Sequence, residues 1–175
     1  MVGYMNPEER VDRDFRLARR RALLGRIGAH LRRRDPASNR LLCFDEVRKI
    51  SGAVGRVYRG TRTVPVGQIR GGVGRRSEFD RGFMPAGASA EERWKRVDRF
   101  FRRGEVLPRV SLYKLGGFYF VLDGHHRVSV ARFDGVEWID AEVTEFHAWL
   151  PEGRRGTGGT VSHETEDRER SSSRA

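Results

Sequence analysis

The five residues Asp123-Gly124-His125-His126-Arg127 stand directly after the five apolar residues Phe118-Tyr119-Phe120-Val121-Leu122. A strand that delivers a glycine turn into the start of a helix creates a place for an anion. The first backbone N–H groups of the helix have no intrahelical partner, and the helix dipole puts positive charge there. Gly124 allows a ligand close to the backbone. Arg127 can fork two donors onto phosphate oxygens, and His125 and His126 add further donors. Asp123 can orient a histidine or hold Mg²⁺ beside the phosphates. The two histidines are not expected to chelate one ion, because adjacent side chains diverge by about 100° on a helix and about 180° on a strand.

The elements that must position this turn can be read on both sides of it. Val110–Leu115 and Phe118–Leu122 form a hairpin about Gly116-Gly117. The wholly apolar second strand suits burial on both faces. A short helix from Val128 to Phe133 is closed by Asp134-Gly135. A last strand from Trp138 to Phe146 alternates Ile139, Ala141 and Val143 with Asp140, Glu142 and Thr144. Upstream, Ser89 with Glu92 three residues on reads as a capping box. It opens a helix with Trp94, Val97, Phe100 and Phe101 as its apolar stripe and Gly104 as its stop. Short β-type runs at Val57-Tyr58, Thr63–Val66 and Ile69 precede a loop, Arg70-Gly71-Gly72-Val73-Gly74-Arg75-Arg76. Pro65 confines its strand to an edge or a strand start.

Residues 7–34 read as one helix with Val11, Phe15, Ala18, Ala22, Ile27 and Leu31 on its apolar stripe, ended by Asp35-Pro36. A shorter helix covers Leu41–Ile50. Ten arginines face four acids within residues 1–34, and the whole chain carries a net charge of +11. A basic surface gains affinity for polyanions by releasing their counterions. The helix therefore either offers its arginines to nucleic acid or docks its stripe on the core. A compositional bias competes with the first alternative, since among 35 basic residues only Lys49, Lys95 and Lys114 are lysines.

One cysteine, Cys43, excludes an internal disulfide and a thiolate zinc cluster. No apolar run approaches the roughly 20 residues of a membrane span, and the start lacks the apolar stretch of a signal peptide. The expectation is a cytoplasmic protein with no membrane partner. From Pro151 the chain is Gly-, Ser-, Arg- and Glu-rich, and disorder is expected over 151–175.

Val64 to Phe146 resembles the ParB/sulfiredoxin superfamily in the order strand, loop, helix, hairpin, Gly-x-x-Arg turn, helix, strand. ParB partition proteins carry Gly-Glu-Arg-Arg at this turn and sulfiredoxins Gly-Cys-His-Arg; here the positions are Gly124, His125, His126 and Arg127. The Asp-Gly-His-His-Arg form is most similar to the branch with the nucleotide-dependent free-serine kinases. The resemblance implies an α+β fold, a small mixed sheet with flanking helices, preceded by a basic helical region. It divides the chain into an extension over 1–55, a nucleotide-binding domain over 56–150 and the tail. It implies that the turn cradles the phosphates of ATP, ADP or CTP with Mg²⁺, and that the loop after the first strand closes over them with Arg75 and Arg76. The sulfiredoxin cysteine falls on His125, so sulfinic-acid reduction is not implied. Nothing after Phe146 matches the helix-turn-helix domain of partition proteins.

Two functions stay open at this point, and the retained Asp123, Gly124, His126 and Arg127 argue against a third, a protein-interaction domain with a vestigial nucleotide site. One is a nucleotide-gated switch associated with nucleic acid through the basic helix. The other is a small-molecule kinase of the free-serine type, which needs a general base for its acceptor hydroxyl. Glu78 and Asp80 are the candidates by position, with a surface salt bridge as their competing role. Trp94, Trp138, Trp149 and the helix phenylalanines read as core rather than as base-stacking platforms.

Overall fold

Alternation along the strands sends neighbouring residues to opposite faces of one sheet, and each face acquires its own apolar cluster. In the computed structural model, which describes residues 6–31, 39–74 and 77–148, the sheet has six strands. They are β1 (Leu42–Cys43), β2 (Ala53–Pro65), β3 (Ile69–Gly72), β4 (Val110–Leu115), β5 (Phe118–Asp123) and β6 (Trp138–Ala148). Their order is β1-β3-β5-β4-β6-β2. β4 pairs antiparallel with β5 and β2 with β6, while β1–β3, β3–β5 and β4–β6 are parallel. The helices are α1 (Pro7–Leu31), α2 (Phe44–Ser51), α3 (Glu91–Arg102) and α4 (His125–Phe133). The architecture is thus mixed α+β, and no described helix is long and apolar enough to cross a membrane.

Helices α1, α3 and α4 cover one face, where Phe15, Ala18, Trp94, Val121, Val128 and Val143 belong to one buried cluster. Helix α2 covers part of the other with Phe44, against Leu115, Phe120 and Phe146. Val121 and Phe120 show why the apolar run in β5 is needed: one enters each cluster. The run is buried only at its centre, since Phe118 and Leu122 at its ends are exposed.

The N-terminal region is not a separate extension. Phe15 and Trp94 pack with ring centroids 5.6 Å apart, and Glu8–Arg99 and Asp12–Lys95 tie α1 to α3 at 2.7 and 2.8 Å. The boundary expected at residue 55 falls inside β2. The buried stripe of α1 runs through Val11, Phe15, Ala18 and Ala22 and stops there, so Ile27 is exposed.

Three further expectations change. The separate β runs before residue 66 are one strand, β2, paired with β6 along its length, with Gly60 at positive φ beside a register shift. As Pro65 requires, β2 is an edge strand. Gly71 and Gly72 lie in strand β3 rather than in a loop. A Cβ on Gly71 would sit 2.2 Å from the Leu42 carbonyl oxygen, so only glycine lets β1 approach. Finally, Ser89 does not cap α3. It lies in a 3-10 turn, Ala88–Ala90, and Ala90 precedes the helix without a side-chain cap; Glu91 and Glu92 place negative charge in the first turn instead.

Trp94 is fully buried, but Trp138, Phe100 and Phe101 are exposed, which removes them from the expected core. Trp149, residues 32–34, Arg75, Arg76 and the tail 151–175 lie outside the described residues.

Candidate functional site

Gly124 is the single residue between β5 and α4 and makes the turn from one into the other. Its φ of +97° is left-handed, and a Cβ there would meet Val110 Cγ1 at 2.6 Å, so two independent constraints require glycine. Helix α4 starts one residue later, three earlier than its expected start at Val128. The Val128 N–H donates to the Gly124 carbonyl at 3.0 Å. The N–H groups of His125, His126 and Arg127 therefore precede the first intrahelical bond, as an anion site at a helix start needs. These residues face a hollow of about 230 Å³ whose other walls are Leu122, Asp123, and Arg93 and Val97 of α3.

The histidines are held by packing. His125 is buried, its ring lies nearly parallel to Phe79 at 6.2 Å, and a Cβ on Gly72 would come within 2.5 Å of its Nε2. The second glycine of β3 thus makes room for this imidazole. His126 meets Phe79 edge-on at 5.1 Å, and its Nε2 is 3.7 Å from Glu78 Oε2.

Arg127 is placed otherwise than its motif suggests. Its Nη1 donates to the carbonyls of Pro108 and Arg109 at 2.6 and 2.7 Å, and its Nη2 donates to Asp123. The guanidinium braces the approach to β4 from the first turn of α4, leaving Nε and one Nη2 hydrogen for a ligand. Arg132, five residues further on, does the same for the carbonyls of Val66 and Ile69. Burial holds the Arg132 guanidinium below its ordinary pKa, with Arg70 adding to the effect.

Of the two candidate bases, the fold brings Glu78 to the turn and commits Asp80 elsewhere. Asp80 Oδ1 accepts the N–H groups of Gly82 and Met84 at 2.9 and 2.8 Å. These bonds flank Phe83, a buried residue held at φ +62°. That conformation costs a non-glycine residue on the order of 1–3 kcal/mol, so the carboxylate is spent on holding the loop. Burial raises the Asp80 carboxyl above its usual pKa despite these bonds.

Asp123, the candidate Mg²⁺ ligand, has its side chain 72% exposed and paired with Arg127. Among the described residues no three His, Cys, Asp or Glu side chains converge to hold a metal ion. Mg²⁺ commonly takes only one or two carboxylates when phosphates supply the rest. Asp123 therefore fits a Mg²⁺ carried on a phosphate chain and does not make a resident metal centre.

The sequence reading missed Arg93 as a site residue. Its signal was its place four residues before Val97 on an amphipathic helix, but which loop that helix edge faces is decided by tertiary packing. No family model, curated protein or solved structure matches this chain.

Proposed function

We propose that this protein binds the phosphates of a nucleotide at the β5–α4 turn. The observation that carries the reading is that one hollow is lined by the three residues that open helix α4, by a glycine that admits no side chain, and by Arg93 of α3. The hollow's 230 Å³ is below the roughly 300–1,000 Å³ of whole small-molecule sites. It suits a phosphate chain whose nucleoside extends beyond it. The element order around the turn supports a ParB/sulfiredoxin-like domain, and ATP, ADP or CTP with Mg²⁺ are the ligands that resemblance implies. Exposed arginines of α1, among them Arg16, Arg19 and Arg20, are the face a nucleotide-gated switch would offer to nucleic acid.

Glu78 favours a second reading, a small-molecule kinase. Its carboxylate stands by His126 at 3.7 Å, where it would take the proton of an acceptor hydroxyl. The hydroxyl oxygen would bond to the terminal phosphorus as the bond to the leaving diphosphate breaks.

Calorimetric titration with ATP, CTP and inorganic tripolyphosphate, each with Mg²⁺, tests the shared part of both readings. Arg93→Ala, a substitution at an exposed position, is expected to weaken binding by about tenfold or more without lowering the melting temperature. Absence of heat with all three ligands overturns phosphate binding. If phosphate binds, acceleration of turnover by DNA supports the switch, and acceleration by a free hydroxy amino acid supports the kinase.

A further inference from the structure

A second and larger hollow, of about 630 Å³, opens on the other side of Arg127. Ala131, Val136 and Ile139 supply apolar lining, and Phe101 and Trp138 contribute aromatic rings. Three of its lining residues are exposed apolar groups: Val106 is 98% exposed, Trp138 57% and Phe101 36%. Exposed apolar residues grouped about a concavity mark a binding surface more often than scattered ones do. The volume lies inside the range of small-molecule sites, which are mainly apolar with a few placed polar groups.

The charges around this hollow are not equivalent. Asp140 accepts a hydrogen bond from Thr63 on β2 at 2.7 Å, and Glu105 lies 3.7 Å from Arg103. Arg109 differs. Its ion-pair partner, Glu142 Oε1, is 3.9 Å away, beyond hydrogen-bond reach, and already accepts the Thr61 hydroxyl at 2.8 Å. Its side chain is 59% exposed, so its donors are available to a ligand. Arg127, by contrast, spends Nη1 on the carbonyls of Pro108 and Arg109.

We propose that this hollow binds a small aromatic anion, a flat ring carrying a carboxylate or sulfonate. The ring lies against Trp138 and Phe101, and the anion meets Arg109. The site is separate from the phosphate turn and stands whether or not nucleotides bind there.

The test uses the full chain and two fluorescent probes. One is 8-anilinonaphthalene-1-sulfonate, an aryl anion; the other is its uncharged relative N-phenyl-1-naphthylamine. Saturable binding of one sulfonate per chain is expected. Trp138→Ala should weaken it by about tenfold or more, while Trp138→Phe stays within about threefold of the parent. Arg109→Ala should weaken the sulfonate and spare the amine. Both positions are largely exposed, and circular dichroism verifies that the variants fold. Non-saturating sulfonate binding, or equal binding by Trp138→Ala, overturns the site. Equal sulfonate binding by Arg109→Ala overturns its preference for anions.

Discussion

Two regions of this molecule hold carboxylates beside cations, and their carboxyl pKa values move in opposite directions. Where α1, α3 and the end of α4 meet, Arg102 is shared by three acids: Asp14 at 2.7 Å, Asp134 at 2.9 Å and Asp98 at 3.2 Å. Arg13 lies beside Asp14, and Arg21 reaches the Phe133 carbonyl next to Asp134. Asp98 is fully buried, and desolvation, with Asp134 and Asp14 adding repulsion, pushes its carboxyl up to about 6 against the pull of Arg102. Burial raises Asp134 too. On the β2–β6 ribbon the acids are wet. The Lys114 hydrogen bond, with Arg59 assisting, holds Glu145 below its usual value, and hydrogen bonds from Tyr58 and Thr61 do so for Glu142. The same side-chain chemistry therefore costs free energy in the dry interface and contributes a little in the wet one.

The strongest way to break the comparison is Arg102→Ala. It leaves the acids of the interface without their shared cation, and removing one partner from a buried pair typically costs about 3–5 kcal/mol. Denaturant unfolding at pH 7.5 should show a loss of that size. A loss under about 1 kcal/mol would mean that water or neighbouring arginines already neutralise the cluster.

Asp98→Asn sharpens it next. The folded carboxyl titrates at about 6 and the ordinary one at 3.8. Below that window both states hold the proton; within it the unfolded chain releases the proton while the folded chain keeps it. Stability from this group thus falls as pH rises from about 4 to 6 and is level above. The difference converts to roughly 3 kcal/mol at 1.36 kcal/mol per tenfold, as an upper bound. Asp98→Asn should flatten that slope, with the variant gaining on the parent above pH 6 and the two converging below pH 4. Parallel pH–stability curves would place the buried charge elsewhere.

How far the sequence discloses such features depends on how local their causes are. Gly104, Gly116 and Gly135 were legible as stops and turns, and each has positive φ. The strand–glycine–helix unit was legible because its residues are contiguous. The acid cluster was not, since Asp14, Asp98 and Asp134 meet only when three helices pack. Arg127 was legible as a helix-start cation but not as a brace, because the Pro108 and Arg109 carbonyls reach it only through the β4–β5 pairing. Strand β2 was hidden for another reason. Nearly all of it is exposed, so it carries no apolar alternation, and what makes it a strand is a partner about 80 residues away in sequence.

That partner supplies the smallest expected effect and the cleanest control. Glu145 accepts from Lys114 and from Arg59, both at 2.8 Å, on partly exposed side chains. Each long side chain loses rotamer freedom to make the contact, and water screens the charges, so such pairs contribute about 0.2–1 kcal/mol. The sign is opposite to that of Asp98. A depressed carboxyl contributes stability above its ordinary pKa and loses it as pH falls through the folded one. Glu145→Gln should therefore cost less than about 1 kcal/mol at pH 7, and the cost should vanish in strong acid. It should also shrink at 1 M salt, where the Debye length is about 3 Å, whereas the Arg102→Ala loss should persist there. A Glu145→Gln loss as large and as salt-resistant as that of Arg102→Ala would mean that the ribbon is as dry as the helix interface, and the contrast between the two regions would fail.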